Sequence, residues 1–174
     1  MAIWPFRRAA ADIDAERLLT AVTAASRKVA FFGAGKVADT LEGRFELMTL
    51  NASLALIRLQ ADDGAGPLAQ AFTDQLFAQF DAGLREEGIG DTAVPKRMHK
   101  LAGAFYGRLE AYAAALGAGD QEALAAAVAR NVLPAAETHR FAAALAAYAL
   151  RAAERQAGLP IAALFSDDGW PQLG

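Results

Sequence analysis

Leu18, Val22, Ala25, Val29 and Phe32 recur at steps of 4, 3, 4 and 3, the spacing of one face of an α-helix. The pattern predicts a first helix from near Asp14 to Phe32, ended by a left-handed residue at Gly33 or Gly35. Asp39 or Thr40 can cap a second helix that runs to about Leu59. Its apolar positions form two stripes, Leu41, Phe45, Met48, Ala52, Ala55, Leu59 and Leu47, Leu50, Leu54, Ile57. A helix apolar on most sides is covered on most sides, so it is either a central core helix or one with a stripe left for a partner. After the turn residues Ala61 to Pro67, a third helix carries Leu68, Phe72, Leu76, Phe77, Phe80 and Leu84, and Gly88-Ile89-Gly90 breaks it. Asp91 or Thr92 can cap a fourth, with Pro95 tolerated in its first turn and a stripe of Val94, Met98, Leu101, Phe105, Leu109, Tyr112 and Leu116. Gly117 to Gly119 stop it. A fifth helix starts at Asp120, and a sixth runs from about Ala135 to Gln156 with Phe141, Leu145, Tyr148 and Ala152 on one face. The expectation is an all-α, single-domain bundle of about six helices. Its parts are a flexible segment 1–13, a helical domain 14–157 and a tail 158–174 that docks through Ile161 to Phe165 and Trp170.

Composition sharpens this picture without redirecting it. A chain of 174 residues that is 55% hydrophobic can bury one sizeable core, and its alanine runs, such as Phe141 to Ala152, favour helix. Cysteine is absent, which removes disulfides and thiolate chemistry. The net charge of -3 gives no global footprint for nucleic acid, and none is expected as a partner. Uncharged stretches fall short of the roughly 18 to 20 residues that span a bilayer, and the start lacks the order of a signal peptide. Trp4 and Phe6 beside Arg7 and Arg8 could give an interfacial foothold, against the plainer reading of a frayed end.

Gly33-Ala34-Gly35-Lys36 resembles a phosphate loop, but its context argues otherwise. Counting back from Gly35-Lys36, a Walker A loop needs glycine where Ala30 stands, and Ser or Thr where Val37 stands. The dinucleotide spacing fits better, through Gly33, Gly35 and Ala38, yet it needs a strand before it and a parallel sheet around it. Helical periodicity precedes it here, so a helix end and turn is the expectation.

Catalytic chemistry finds little support. His99 and His139 lie on different predicted helices without a repeated carboxylate partner, and Ser26, Ser53 and Ser166 lack a nucleophile context. No enzyme activity, metal or cofactor is expected. The fourth helix is more informative: opposite its apolar stripe lie Lys96, Lys100, Gly103 and Gly107, flanked by Tyr106 and Arg108. Interior glycines cost a helix about 1 kcal/mol each against alanine, so they call for a reason. Either they face another helix of the same domain, or they form an open shallow groove for a protein partner. An alternative of another class is a helical small-molecule site, for a quinone or isoprenoid, among Phe72, Phe77, Phe80 and Phe105.

"LREEGIGD", followed by "KRMHK" and "FYGRLEAY", with "DTLEGRFELMTLNASLALIRL" upstream, resembles the ubiquinol-cytochrome c chaperone family over about residues 14–115. The resemblance implies a helical, non-catalytic assembly factor of the cytochrome bc1 complex whose client is newly made cytochrome b or an early intermediate containing it. Carried over position by position, the motif residues are Arg44, Arg58, Arg85, Gly88, Gly90, Asp91, Lys96, Lys100, Tyr106, Gly107, Arg108 and Tyr112. With Gly103 these form the expected partner-binding set. Asn51 stands where the family is expected to show His, which argues against haem ligation there. The start without a mitochondrial-type leader implies a bacterial member, cytoplasmic or peripheral on the cytoplasmic face of the inner membrane, where Lys96 to Lys100 could meet acidic headgroups. Mitochondrial members work with a small helper protein and at ribosomes; the need for either here is open.

Overall fold

A computed structural model describes residues 4–133 and 139–174, and the side chains of 10–133 and 140–174. Six helices make up the described chain: α1 (Trp4–Ser26), α2 (Leu41–Gln60), α3 (Gly66–Glu86), α4 (Val94–Gly117), α5 (Gln121–Val132) and α6 (His139–Ala157). The fold is all-α, with short 3-10 turns at Val29–Phe31, Ile161–Phe165 and Asp167–Gly169. The side chains of Trp4, Phe6, Arg7 and Arg8, that of His139, and the expected start of the sixth helix at Ala135 lie outside the described residues.

α2 is the axis of the bundle and touches each of the other five helices. Both of its apolar stripes are used within the chain, with Leu47, Leu50, Ala52, Leu54, Ala55 and Leu59 at most 1% exposed. Only the first turn escapes, where Leu41 is 38% exposed. The Thr40 hydroxyl accepts the Gly43 N–H at 3.1 Å and so caps the helix. Gly43 is required by a close approach: a Cβ there would stand 2.0 Å from the Ala38 carbonyl oxygen.

The first helix departs from expectation at both ends. It begins at Trp4, well ahead of Asp14, and stops at Ser26, short of Phe32. A buried polar knot stands at the carboxyl end. Ser26 Oγ donates to the Val22 carbonyl at 2.7 Å and accepts from Asn51 Nδ2 at 3.1 Å, while Asn51 Oδ1 accepts from the Tyr148 hydroxyl at 2.8 Å. The knot ties α1, α2 and α6 together, and Lys28 then turns extended, at φ -61° and ψ 129°. The new direction swings Val29 into solvent, 86% exposed, and Phe31 into the core, edge-on to Tyr148 at 5.2 Å between ring centres.

Gly33 and Gly35 adopt φ 127° and 70° in a tight loop closed by Gly33 N–H to Val37 O at 3.2 Å and Val37 N–H to Phe31 O at 3.1 Å. Lys36 Nζ donates to the Ala30 carbonyl at 2.9 Å. The stretch joins a 3-10 turn to a helix; no strand precedes it among the described residues, so the geometry of a nucleotide loop is missing.

After α6 the chain folds back over the bundle. Leu164 and Trp170 are buried, Trp170 Nε1 donates to Leu164 O at 3.1 Å, and Gln156 Nε2 donates to Gly169 O at 3.1 Å.

Candidate functional site

α4 divides along its length into a buried stripe and an open face. Val94, Phe105, Leu109 and Tyr112 are buried, and Met98, Leu101 and Leu116 half-buried. On the other side Lys96, Lys100, Gly103, Tyr106 and Gly107 are exposed. A Cβ added at Gly103 or Gly107 would meet nothing within 4 Å. Of the two explanations for these glycines, packing within the domain is therefore set aside and the open face stands.

Pro95 opens α4, but Asp91 and Thr92 do not cap it; the N-cap is Ala93, with no side-chain bond. Asp91 is drawn instead to Arg85, whose guanidinium also holds Asp81 at 2.7 Å. Arg85 thereby fastens the end of α3 to the turn that leads into α4. Gly88 in that turn has φ 79°, a conformation that ends α3 and reverses the chain, and Gly90 beside it is exposed.

A row of aromatic rings runs from this face toward the start of α2. Tyr106, 51% exposed, stacks on Phe77 at 5.9 Å between centroids; Phe77 meets Phe80 at 5.8 Å, and Phe80 meets Phe45 at 5.0 Å. Phe45, Phe77 and Phe80 are half-buried. Fully buried Phe105 packs edge-on to Phe77 at 5.5 Å. These rings fill the space between one another, and Phe72 is wholly buried in the core, so the four phenylalanines proposed to line a quinone site are packing residues.

The expected partner-binding set splits in two. Gly88, Gly90, Lys96, Lys100, Gly103, Tyr106 and Gly107 are exposed along α4 and its entry turn, and Arg44, Arg85 and Asp91 are exposed but engaged within the chain, Arg44 with Asp39 at 2.7 Å. Three residues turn inward, which corrects the expectation. Arg58 donates to the carbonyls of Gln156 at 2.8 Å and Leu159 at 3.1 Å, and so satisfies the carboxyl end of α6. Tyr112 is fully buried. Arg108 forms a two-pronged pair with Glu46, Nε to Oε2 and Nη2 to Oε1, each at 2.7 Å. Burial pushes the Glu46 carboxyl up, and the Arg108 guanidinium pulls it down. Little in the sequence warns of this: Glu46 is the lone charge in the otherwise apolar or neutral stretch between Arg44 and Arg58, a pattern that asks for a buried partner without naming it.

The comparisons with known proteins fit this arrangement. Residues 34–169 match the ubiquinol-cytochrome C chaperone family. The chain belongs to that family. A solved structure, the crystal structure of the Cbp3 homolog from Brucella abortus, is 39% identical and superposes with a TM-score of 0.84 over 99% of this chain and 98% of that one. No curated protein matches the chain. The family match begins in the glycine loop at Ala34 and ends at Gly169 in the docked tail, so it takes in α2 to α6, the open α4 face and the Glu46–Arg108 pair. Membership of the chaperone family supports a role in assembling the bc1 complex, with a client protein as partner. No helix among the described residues is long and apolar enough to cross a membrane.

Proposed function

We propose that this family member is a non-catalytic assembly chaperone that binds newly synthesised cytochrome b, or an early intermediate containing it, during biogenesis of the cytochrome bc1 complex. It acts at the cytoplasmic face of the inner membrane. The observation that supports the reading most is the open α4 face. Two adjacent glycine positions there let a partner backbone come close, Tyr106 offers a large ring, and Lys96 and Lys100 supply charge. With Arg108 neutralised by Glu46, α4 still exposes Lys96, Arg97 and Lys100 against Glu110 alone, in a chain of net charge -3. This local excess suits acidic client loops, and it suits acidic headgroups beside them.

The test is cross-linked capture of the tagged protein from its host's membranes, with cytochrome b quantified against other membrane proteins. Cytochrome b is expected to be enriched, and the double variant Lys100→Glu, Gly103→Leu is expected to reduce its capture about tenfold with helicity unchanged. Absence of enrichment with the unaltered chain would overturn the client assignment.

A further inference from the structure

Arg108 directly follows Gly107 of the open face in sequence, yet its side chain points to α2. Both oxygens of Glu46 are taken up by its Nε and Nη2, and its third nitrogen, Nη1, donates back to the Ala104 carbonyl of α4 at 3.0 Å. Glu46 is only 8% exposed and Arg108 is largely covered. The apolar stripe of α4 is open-edged, with Met98, Leu101 and Leu116 half-buried. Apolar ridges of this kind admit small rolls of one helix on another, because dispersion contacts have no fixed direction. A planar guanidinium gripping a carboxylate through two bonds does have one. With Nη1 also tied to its own helix, the fork transmits that direction to the α4 backbone.

We propose that the Glu46–Arg108 pair is a positioning clasp, which fixes the roll of α4 against α2 and so presents Lys96, Lys100, Gly103, Tyr106 and Gly107 to the client while Arg108 itself touches no partner. Arg108 is thus a positioning residue that acts through Glu46. The role of the clasp in client capture rests on the function proposed above; its control of α4 does not.

The absence of cysteine allows both halves to be tested together. Spin labels at Glu42→Cys and Glu110→Cys, both exposed positions on α2 and α4, report the relation of the two helices by electron-spin distance measurement. Glu46→Gln leaves Arg108 in place but removes the charged fork; Arg108→Lys keeps the charge and loses the fork, and serves if the first variant does not fold. The expected result is a shifted or broadened distance distribution in either variant. Cytochrome b capture is expected to fall about tenfold at temperatures where the variant remains fully folded. A merely structural pair would lower the melting temperature and leave capture by the folded protein intact. Wild-type capture by Glu46→Gln, or an unchanged distance distribution in both variants, would overturn the clasp. Should the unaltered chain capture no cytochrome b, the proposed client falls, and the distance measurement alone decides the clasp.

Discussion

Two buried tyrosines show how one residue type serves opposite ends in the same core. The Tyr148 hydroxyl donates to Asn51 Oδ1 at 2.8 Å, whereas the Tyr112 hydroxyl, with Asn131 nearby, makes no hydrogen bond of ordinary geometry among the described residues. A buried hydroxyl without a partner costs roughly 1 to 3 kcal/mol. Tyr112→Phe is therefore expected to be neutral or stabilising by about 1 kcal/mol in urea unfolding, and Tyr148→Phe to destabilise by about 1 to 2 kcal/mol because it strands Asn51. Burial, reinforced by the Glu46 carboxylate, pushes Tyr112 up from 10.0 to about 12. The unfolded chain releases this proton first, so the stabilisation is complete below pH 10 and is lost as pH rises toward 12. Tyr148 is also raised by burial and acts with the same sign. Urea midpoints at pH 9 and pH 11.5 should show the loss, smaller in Tyr112→Phe; an equal loss in both proteins would exclude Tyr112 as its source.

Among the elements, α2 was the most legible and also hid the most. Two apolar stripes announce a covered helix, and the structure surrounds it with the other five. The partners of its polar residues were invisible, because Glu46 meets Arg108 across 62 positions and Asn51 meets Tyr148 across 97. Gly43 was equally opaque: its reason is the Ala38 carbonyl of the incoming loop, not the helix it belongs to. Gly43→Ala should accordingly destabilise by about 2 kcal/mol, of the order seen for overpacking and opposite to the gain from alanine in an ordinary helix interior. Gly103→Ala, with open space at its Cβ, should instead stabilise by up to about 1 kcal/mol. Chemical denaturation of the pair checks both signs.

At the level of the whole molecule, the tail couples the far end of the sequence to the core. Arg58 on α2 bonds to Gln156 and Leu159, Lys28 Nζ reaches the Pro171 carbonyl at 3.4 Å, and Trp170 is 2% exposed. Trp170→Ala should cost about 3 to 5 kcal/mol, and unfolding followed by tryptophan-independent circular dichroism should remain a single transition; a separate early step would mean that the tail unfolds on its own.

The sequence by itself determined the helical class, the elements α2 to α4 to within a few residues, the start of α5, the two-sided apolarity of α2 and the family, since these rest on local periodicity, turn residues and contiguous motifs. It also separated the faces of α4, because a helix repeats every 3.6 residues whatever surrounds it. Only the tertiary structure decided which faces meet another helix. It left Gly103 and Gly107 in solvent, tied Ser26 at the end of α1 to a residue 25 positions away, and turned Arg58, Arg108 and Tyr112 from expected contacts into parts of the frame. Motif residues on one helix look alike in sequence whether they hold a partner or hold the fold, and long-range pairing of charge and burial separates the two.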